Sequence, residues 1–486
     1  MHTFQEIVEH AKEIATLHST AELLSWDQET LMPAAANEHR TNQRVLLSGI
    51  IHDKMTAPQY IEALENFSSF ANADEKLIIT RLLKDVRKAT KLPQKFVQEF
   101  TRATSEGVDA WSKARNSDNW DLFKPHLAKI VALTQEKASL LGGNHIYDTL
   151  LDDYDPETKT VDIQTLFSNL KPKLVALLEE IKQTPFFQTV YTPFATEHRK
   201  QLEVCTQLLS GINFDWNCAR LDTSEHPFST GIHPTDARIT VRKQSDDLLS
   251  QIKAAMHEAG HAMYEMGLPQ QHYGTPLCEA ISLSIHESQS RFWETIIGQS
   301  KAFSGHIFEN IKSLPTCPYK NPEQLYTQLN TVACSLNRVE ADEVTYPLHI
   351  ILRFEIEQEL LNGTLSPNDV AERWNSGMKE LLGITPESNR EGCLQDIHWS
   401  LGYFGYFPTY TLGSLYSTCW LAAMKKELPL EELISQGNFS PIKQWLHEHV
   451  WQHGRRLLSK ELVTKSLGTE PTEEHYLSYL REKYVG

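Results

Sequence analysis

Met256-His257-Glu258-Ala259-Gly260-His261 stands inside a segment from Ser245 to Met266 whose apolar residues, Leu248, Leu249, Ile252, Met256, Met263 and Met266, recur at three- and four-residue spacing. That period predicts an amphipathic helix ending at Gly267 and Pro269. Histidines four apart project from one helical face, where both imidazoles reach a single zinc ion at about 2.0 to 2.1 Å. Glu258 then lies beside the metal, placed to take a proton from water without becoming a ligand itself. With 21 histidines in the chain, H-E-x-x-H arises by chance in roughly one such sequence in fifteen. The alternative on this string alone is a pair of solvated helix residues flanking a surface glutamate, the weaker of the two readings.

Working outward, a second helical segment from Glu279 to Ile297, ending at Gly298, carries His286-Glu287-Ser288-Gln289-Ser290-Arg291. A turn through Pro269 to Pro276 followed by a returning helix brings Glu287 opposite the two histidines. A carboxylate there completes a two-His, one-Glu set that keeps one metal position open. The competing reading pairs Glu287 with Arg291 at i,i+4 on a helix surface, worth only about 0.2 to 0.5 kcal/mol. The ligand reading expects one Zn2+ per chain, with Co2+ or Mn2+ as possible substitutes.

The rest of the sequence reads as mainly α. Phe4 to Leu24 is one or two amphipathic helices, interrupted by Trp26-Asp27-Gln28-Glu29-Thr30-Leu31-Met32-Pro33. Ala73 to Lys91 and Val161 to Lys182 continue the helical pattern, with Gly142-Gly143-Asn144 and Asp152 to Thr160 as loops. Between Leu209 and Arg242 the pattern changes to loops and then the alternating Asp236-Ala237-Arg238-Ile239-Thr240-Val241-Arg242, which predicts a small sheet just upstream of the metal motif. The organisation expected is a single peptidase domain over 1–486, with an N-terminal helical part, 1–208, and a catalytic part, 209–486.

Bulk properties exclude several functions. The 63 acidic side chains outnumber 46 basic ones, and a net charge of -17 repels phosphate backbones, so nucleic acid is not an expected partner. No run of about 18 uncharged apolar residues is present, so no membrane span is expected. Met1 to Glu6 lacks the basic start and apolar core of a secretory signal, which places the chain in the cytoplasm as an expectation. Seven cysteines without a C-x-x-C pair read as reduced thiols.

The sequence resembles the carboxypeptidase Taq family of zinc metallocarboxypeptidases along nearly its whole length. The matches are Trp26-Asp27-Gln28-Glu29-Thr30-x-Met32-Pro33, His226-Pro227-Phe228, Asp236-x-Arg238-x-Thr240, the H-E-x-x-H, His286-Glu287-Ser288-Gln289 and Gly392-x-x-Gln395-Asp396-x-His398-Trp399. Arg338-x-x-Ala341-Asp342 resembles the family's I-R-x-x-A-D string with Asn337 in first place. The resemblance implies a large helical, saddle-shaped fold with a deep central groove, the N-terminal part forming one wall, and a homodimer. It implies removal of single residues from peptide C-termini with broad specificity, sparing proline. His257, His261 and Glu287 carry over as zinc ligands and Glu258 as general acid/base.

Other roles follow from chemistry. The developing oxyanion needs donors besides the metal, and His398 with Tyr406 or Tyr410 can supply them; either tyrosine could instead be a packed aromatic. A free C-terminal carboxylate is read by a guanidinium through two parallel hydrogen bonds. Arg338 is the first candidate, followed by Arg353 and Arg238, although Arg338 could pair with Glu340 or Asp342. His226 and His286 join these as candidate substrate contacts. The rival readings are an oligoendopeptidase with the same zinc chemistry and a non-catalytic zinc protein that binds peptides.

Overall fold

Thr3 opens the first helix, Phe4–Thr30, by a capping box: its hydroxyl accepts from the Glu6 amide while the Glu6 carboxylate accepts from the Thr3 amide. This computed structural model describes residues 3–188 and 192–486. Trp26 to Thr30 belong to the helix rather than interrupting it. Nothing in Trp-Asp-Gln-Glu-Thr prevents helical backbone, and the stop comes only where Pro33 disfavours α geometry at Met32.

Helices follow one another through the N-terminal half, including Asn37–Met55, Ala73–Thr90, Gln94–Ser117, Lys124–Leu141 and Thr160–Ile181. Two hydrophobic cores result. Ile7, Ile14, Tyr60, Leu64, Ile79 and Val86 enclose a small one formed by the first helices. From Phe96 onward the buried side chains join a second, much larger core that continues to Tyr484. Arg455 on Asp85 and Arg456 on Asp74 tie the first lobe to the body by ion pairs. No helix among the described residues is long and apolar enough to cross a membrane.

The expected sheet is present as β1 (Ala219–Ser224), β2 (Ser229–His233) and β3 (Asp236–Arg242), in the order β1-β3-β2. β1 runs parallel to β3 with Ala219 opposite Ala237, and β2 runs antiparallel with an irregularity between Gly231 and His233. In the central strand Ala237, Ile239 and Val241 are buried, while Arg238 turns to the other face beneath Trp26, 4.4 Å from its ring. The sheet therefore packs one side against the motif helix and the other against the first helix.

The motif helix is Leu248–Gly267, within a few residues of the boundaries read from the apolar period. Asp247 caps it, its carboxylate accepting from the amides of Leu249 and Ser250 and from that of Phe194. Two short 3-10 turns, Gln270–His272 and Pro276–Cys278, return the chain to the helix Leu283–Arg291, which Ser282 caps. That helix is shorter than the periodicity suggests, because Phe292–Gly298 winds as a π-helix. A π segment changes the angular phase of the residues after it, and such segments occur often at functional sites.

Candidate active site

Close helix packing brings the site together. A Cβ at Gly260 would lie 2.5 Å from the Gln289 carbonyl oxygen, so only glycine lets the motif helix and the Leu283–Arg291 helix approach this closely. From the other side Gly413, on the helix Pro408–Met424, leaves room for Glu287, whose Cγ would stand 2.4 Å from a Cβ there. The helix that carries Glu287 thus packs closely on two others, each with a glycine at the contact. Ser290 Oγ donates to its Oε2 at 2.9 Å.

Within that frame His257 Nε2 and His261 Nε2 stand 3.7 and 3.6 Å from Glu287 Oε2, and one donor atom from each of the three lies within 4.8 Å of the others. Both imidazoles have their remaining nitrogen engaged. His257 Nδ1 is 2.8 Å from Glu294 Oε2, and His261 Nδ1 is 3.1 Å from the His286 carbonyl. A proton on each Nδ1 leaves each Nε2 lone pair directed at one point, the tautomer a metal requires. Glu287 pairs with the two histidines, while Arg291 reaches Glu294 instead, at 2.8 Å.

The local charge also favours a cation. Burial works against protonation of His257, yet Glu287, the bond to Glu294 and the charge of Glu258 raise its pKa to about 9. Burial raises Glu294, but the Arg291 charge and then the His257 bond win and leave it at about 2. Glu258 is 7% exposed, and burial lifts its carboxyl to about 7 against the pull of His257. Among the described residues no side chain or amide is bonded to it. The same negative surroundings that hold a proton on His257 favour a divalent ion in its place, and the two imidazoles, neutral once that proton is displaced, with the carboxylate suit an ion of borderline softness.

Beside this centre lies a second cluster. Asp396 receives Arg338 through Nε and Nη2 at 3.0 and 2.8 Å, and Arg353 through Nε at 2.7 Å. Burial opposes ionisation of Asp396, but the two guanidiniums hold its carboxyl far below the usual range. Arg353 is fully buried and spends its other donors on Gln395 and the His349 carbonyl. Sealed from solvent, it is not placed to meet a substrate. Arg338 keeps 7% exposure, gives Nη1 to the Tyr346 hydroxyl at 2.8 Å, and pairs with neither Glu340 nor Asp342. Asp342 instead accepts from the amides of Ala333, Val344 and Thr345.

His398 Nε2 stands 3.3 Å from the Tyr410 hydroxyl, and its ring packs 4.5 Å from Phe407. Burial, with Asp396 opposing and both arginines assisting, lowers its pKa to about 4, so the imidazole is neutral at neutral pH. Tyr406 lies against both, with ring centroids 5.3 Å from His398 and 5.3 Å from Tyr410. Burial and then the nearby Glu287 charge raise the Tyr406 phenol. Arg238, on β3, is bonded to Asp236 at 2.9 and 3.0 Å and lies against the Trp26 ring. His226 lies in the connection between β1 and β2, its carbonyl accepting from Ser224 Oγ. His286 has both ring nitrogens engaged by protein groups, Glu265 Oε1 and His261 Nδ1.

Sequence reasoning did not single out Glu294, Glu265, Tyr346 or Glu357. Glu265 was open to detection, since it follows His261 by four residues on the same helical face, and Glu294 follows Glu287 by seven. Glu357 offered no local signal, because its partners Tyr147 and Trp399 lie 210 and 42 residues away, and nothing in the pattern marked Tyr346 as the partner of Arg338 eight residues before it.

Two imidazoles and a carboxylate around one point, with an unbonded carboxylate on the same helix, define an H-E-x-x-H metallopeptidase centre in a mainly helical fold. The carboxypeptidase Taq (M32) metallopeptidase family matches residues 6–484. Thermostable carboxypeptidase 1 of Thermus thermophilus is 36% identical over 502 residues, covering 99% of this chain and 98% of that protein. Carboxypeptidase 1 of Bacillus subtilis is 32% identical over 496 residues, covering 100% and 98%. The structure of the Pyrococcus furiosus carboxypeptidase superposes with a TM-score of 0.96 at 35% identity, covering 100% of this chain and 99% of that one. The chain belongs to the carboxypeptidase Taq (M32) metallopeptidase family, and it is a metallocarboxypeptidase that hydrolyses peptide bonds.

Proposed function

We propose that this enzyme is a zinc-dependent carboxypeptidase that removes single C-terminal residues with broad specificity, sparing proline, and works as a cytoplasmic homodimer. The observation that carries the metal reading is the convergence of His257, His261 and Glu287, with the Nδ1 of each histidine set against an acceptor, Glu294 and the His286 carbonyl. One ion per chain, zinc with cobalt or manganese as substitutes, would be held by these three residues. When bound, it supplies Lewis-acid polarisation of the scissile carbonyl and acidifies water. Breadth of specificity, the sparing of proline, dimerisation and location rest on family resemblance.

The chain's own groups carry the remaining work. Glu258, ionised above about pH 7, accepts a proton from the attacking water and delivers it to the leaving amine. Neutral His398 and the hydroxyls of Tyr406 and Tyr410 form a group of donors around one side of the site, suited to a developing oxyanion. Arg338, with Tyr346 beside it, is the guanidinium retained for the terminal carboxylate. Its bonds to Asp396 orient the fork before substrate arrives. Arg353 holds Asp396 from behind.

The test is product analysis on an N-blocked peptide. A carboxypeptidase yields a ladder shortened one residue at a time from the C-terminus, abolished by chelator and restored by zinc. Internal fragments would instead mark an oligoendopeptidase, and chelator-insensitive cleavage would remove the metal from the reaction. Sedimentation of the full chain measures the dimer.

A further inference from the structure

His257 has a carboxylate directly on its outer nitrogen, while His261 reaches one only through a second ring. With His261 Nε2 facing the shared centre, its proton sits on Nδ1, which donates to the His286 carbonyl and stands 2.6 Å from His286 Nδ1. His286 Nδ1 must then accept, so its own proton lies on Nε2 and is donated to Glu265 Oε1 at 2.7 Å. One set of tautomers satisfies every contact. The two rings are stacked, with centroids 4.4 Å apart and planes at 27°. Glu265 is in turn backed by the sheet: a Cβ at Gly231 on β2 would lie 2.7 Å from its Cγ and 2.8 Å from its carboxylate carbon and Oε2.

We propose that His286 and Glu265 are positioning residues of the metal centre, a hydrogen-bonded chain that fixes the ring and tautomer of His261 and strengthens its hold on the ion. The proposal rests on the reading of His257, His261 and Glu287 as the ligand set. It also assigns His286 to the metal rather than to substrate. Carboxylates and rings behind metal-bound histidines raise ligand basicity, and removing them weakens binding about ten- to a hundredfold. His286 and Glu265 side chains are 20% and 22% exposed, so truncating them opens no sealed core.

The experiment titrates zinc into metal-free full-length enzyme against a chromophoric chelator, alongside the melting temperature of the metal-free form. Glu265→Ala and His286→Ala are expected to weaken zinc binding ten- to a hundredfold at an unchanged metal-free melting temperature. Glu265→Gln, whose carbonyl oxygen still accepts from His286, is expected to retain affinity within a fewfold of wild type. Wild-type affinity in both alanine variants overturns the proposal, as does a His286→Ala effect confined to KM. Glu287→Ala separates the two readings: if it binds zinc normally the ligand set is wrong, and if it alone loses zinc only the positioning chain is wrong. Should an alanine variant fail to fold, the histidine nitrogen resonances of the wild-type zinc enzyme decide, with His286 protonated on Nε2 expected and protonation on Nδ1 refuting.

Discussion

Replacing Glu357 by Gln is expected to remove a loss of stability that wild type suffers as pH rises, while impairing the enzyme. The carboxylate is fully buried, its Oε2 accepting from the Tyr147 hydroxyl at 2.7 Å and the Gly405 amide at 3.0 Å, its Oε1 from the Trp399 indole at 3.0 Å. It therefore pins both ends of the loop between His398 and Tyr406. Burial outweighs those three donors and the nearby Arg353, raising its pKa from 4.5 to about 7. Between these values the folded protein keeps a proton that the unfolded chain releases, so this group's contribution to stability falls as pH rises through the window, by about 3 kcal/mol in all. Gln does not titrate. The melting temperature of the variant relative to wild type should thus rise by a few degrees from pH 5 to pH 8.

Activity moves the other way. A carboxamide has one acceptor oxygen, so whichever way it lies its amino group faces Trp399 or Gly405, leaving a buried donor unpaired at about 1 to 3 kcal/mol. A loop loosened by that amount should lower kcat/KM roughly ten- to a hundredfold, with metal content unchanged. Peptide hydrolysis at saturating zinc and calorimetry across pH measure both arms. Wild-type kcat/KM at pH 8 would refute the anchoring of the loop, and a melting difference that does not change with pH would refute the buried ionisable carboxyl.

Glu258→Gln is expected to bind zinc with wild-type stoichiometry and lose turnover by at least a hundredfold, measured by metal analysis and hydrolysis, since only the proton acceptor is removed. Arg338→Ala should lower kcat/KM mainly on peptides with a free C-terminus; equal loss on C-terminally amidated peptides would release it from reading the carboxylate. Gly260→Ala forces a Cβ to within 2.5 Å of the Gln289 carbonyl, and should cost about 1 to 3 kcal/mol of stability and weaken zinc binding, read by calorimetry and titration. Arg353→Ala leaves buried Asp396 with one cation and should destabilise the fold by about 3 to 5 kcal/mol, a loss that Lys restores only in part.

Much of the site could be read without coordinates because its key relation is local. Two histidines four apart share a helical face in any α-helix, so the imidazole pair and the neighbouring Glu258 follow from backbone periodicity. The alternation from Asp236 to Arg242 gave β3 for the same reason, since strand side chains alternate by face. Trp26 to Thr30 continue the first helix because nothing in Trp-Asp-Gln-Glu-Thr breaks α backbone and only Pro33 supplies a stop.

Sequence by itself determined the helical class, the sheet before the motif and the pairing of two histidines on one helical face. Tertiary packing decided which charges meet. Arg338 finds Asp396, 58 residues away, rather than its neighbours Glu340 and Asp342, and Arg291 takes Glu294 while Glu287 turns to the histidines. Arginines at a bidentate fork and carboxylates at a buried ring look alike along the chain. Their partners are chosen by the close approach of helices at Gly260 and Gly413 and by the cost of leaving any buried charge unpaired.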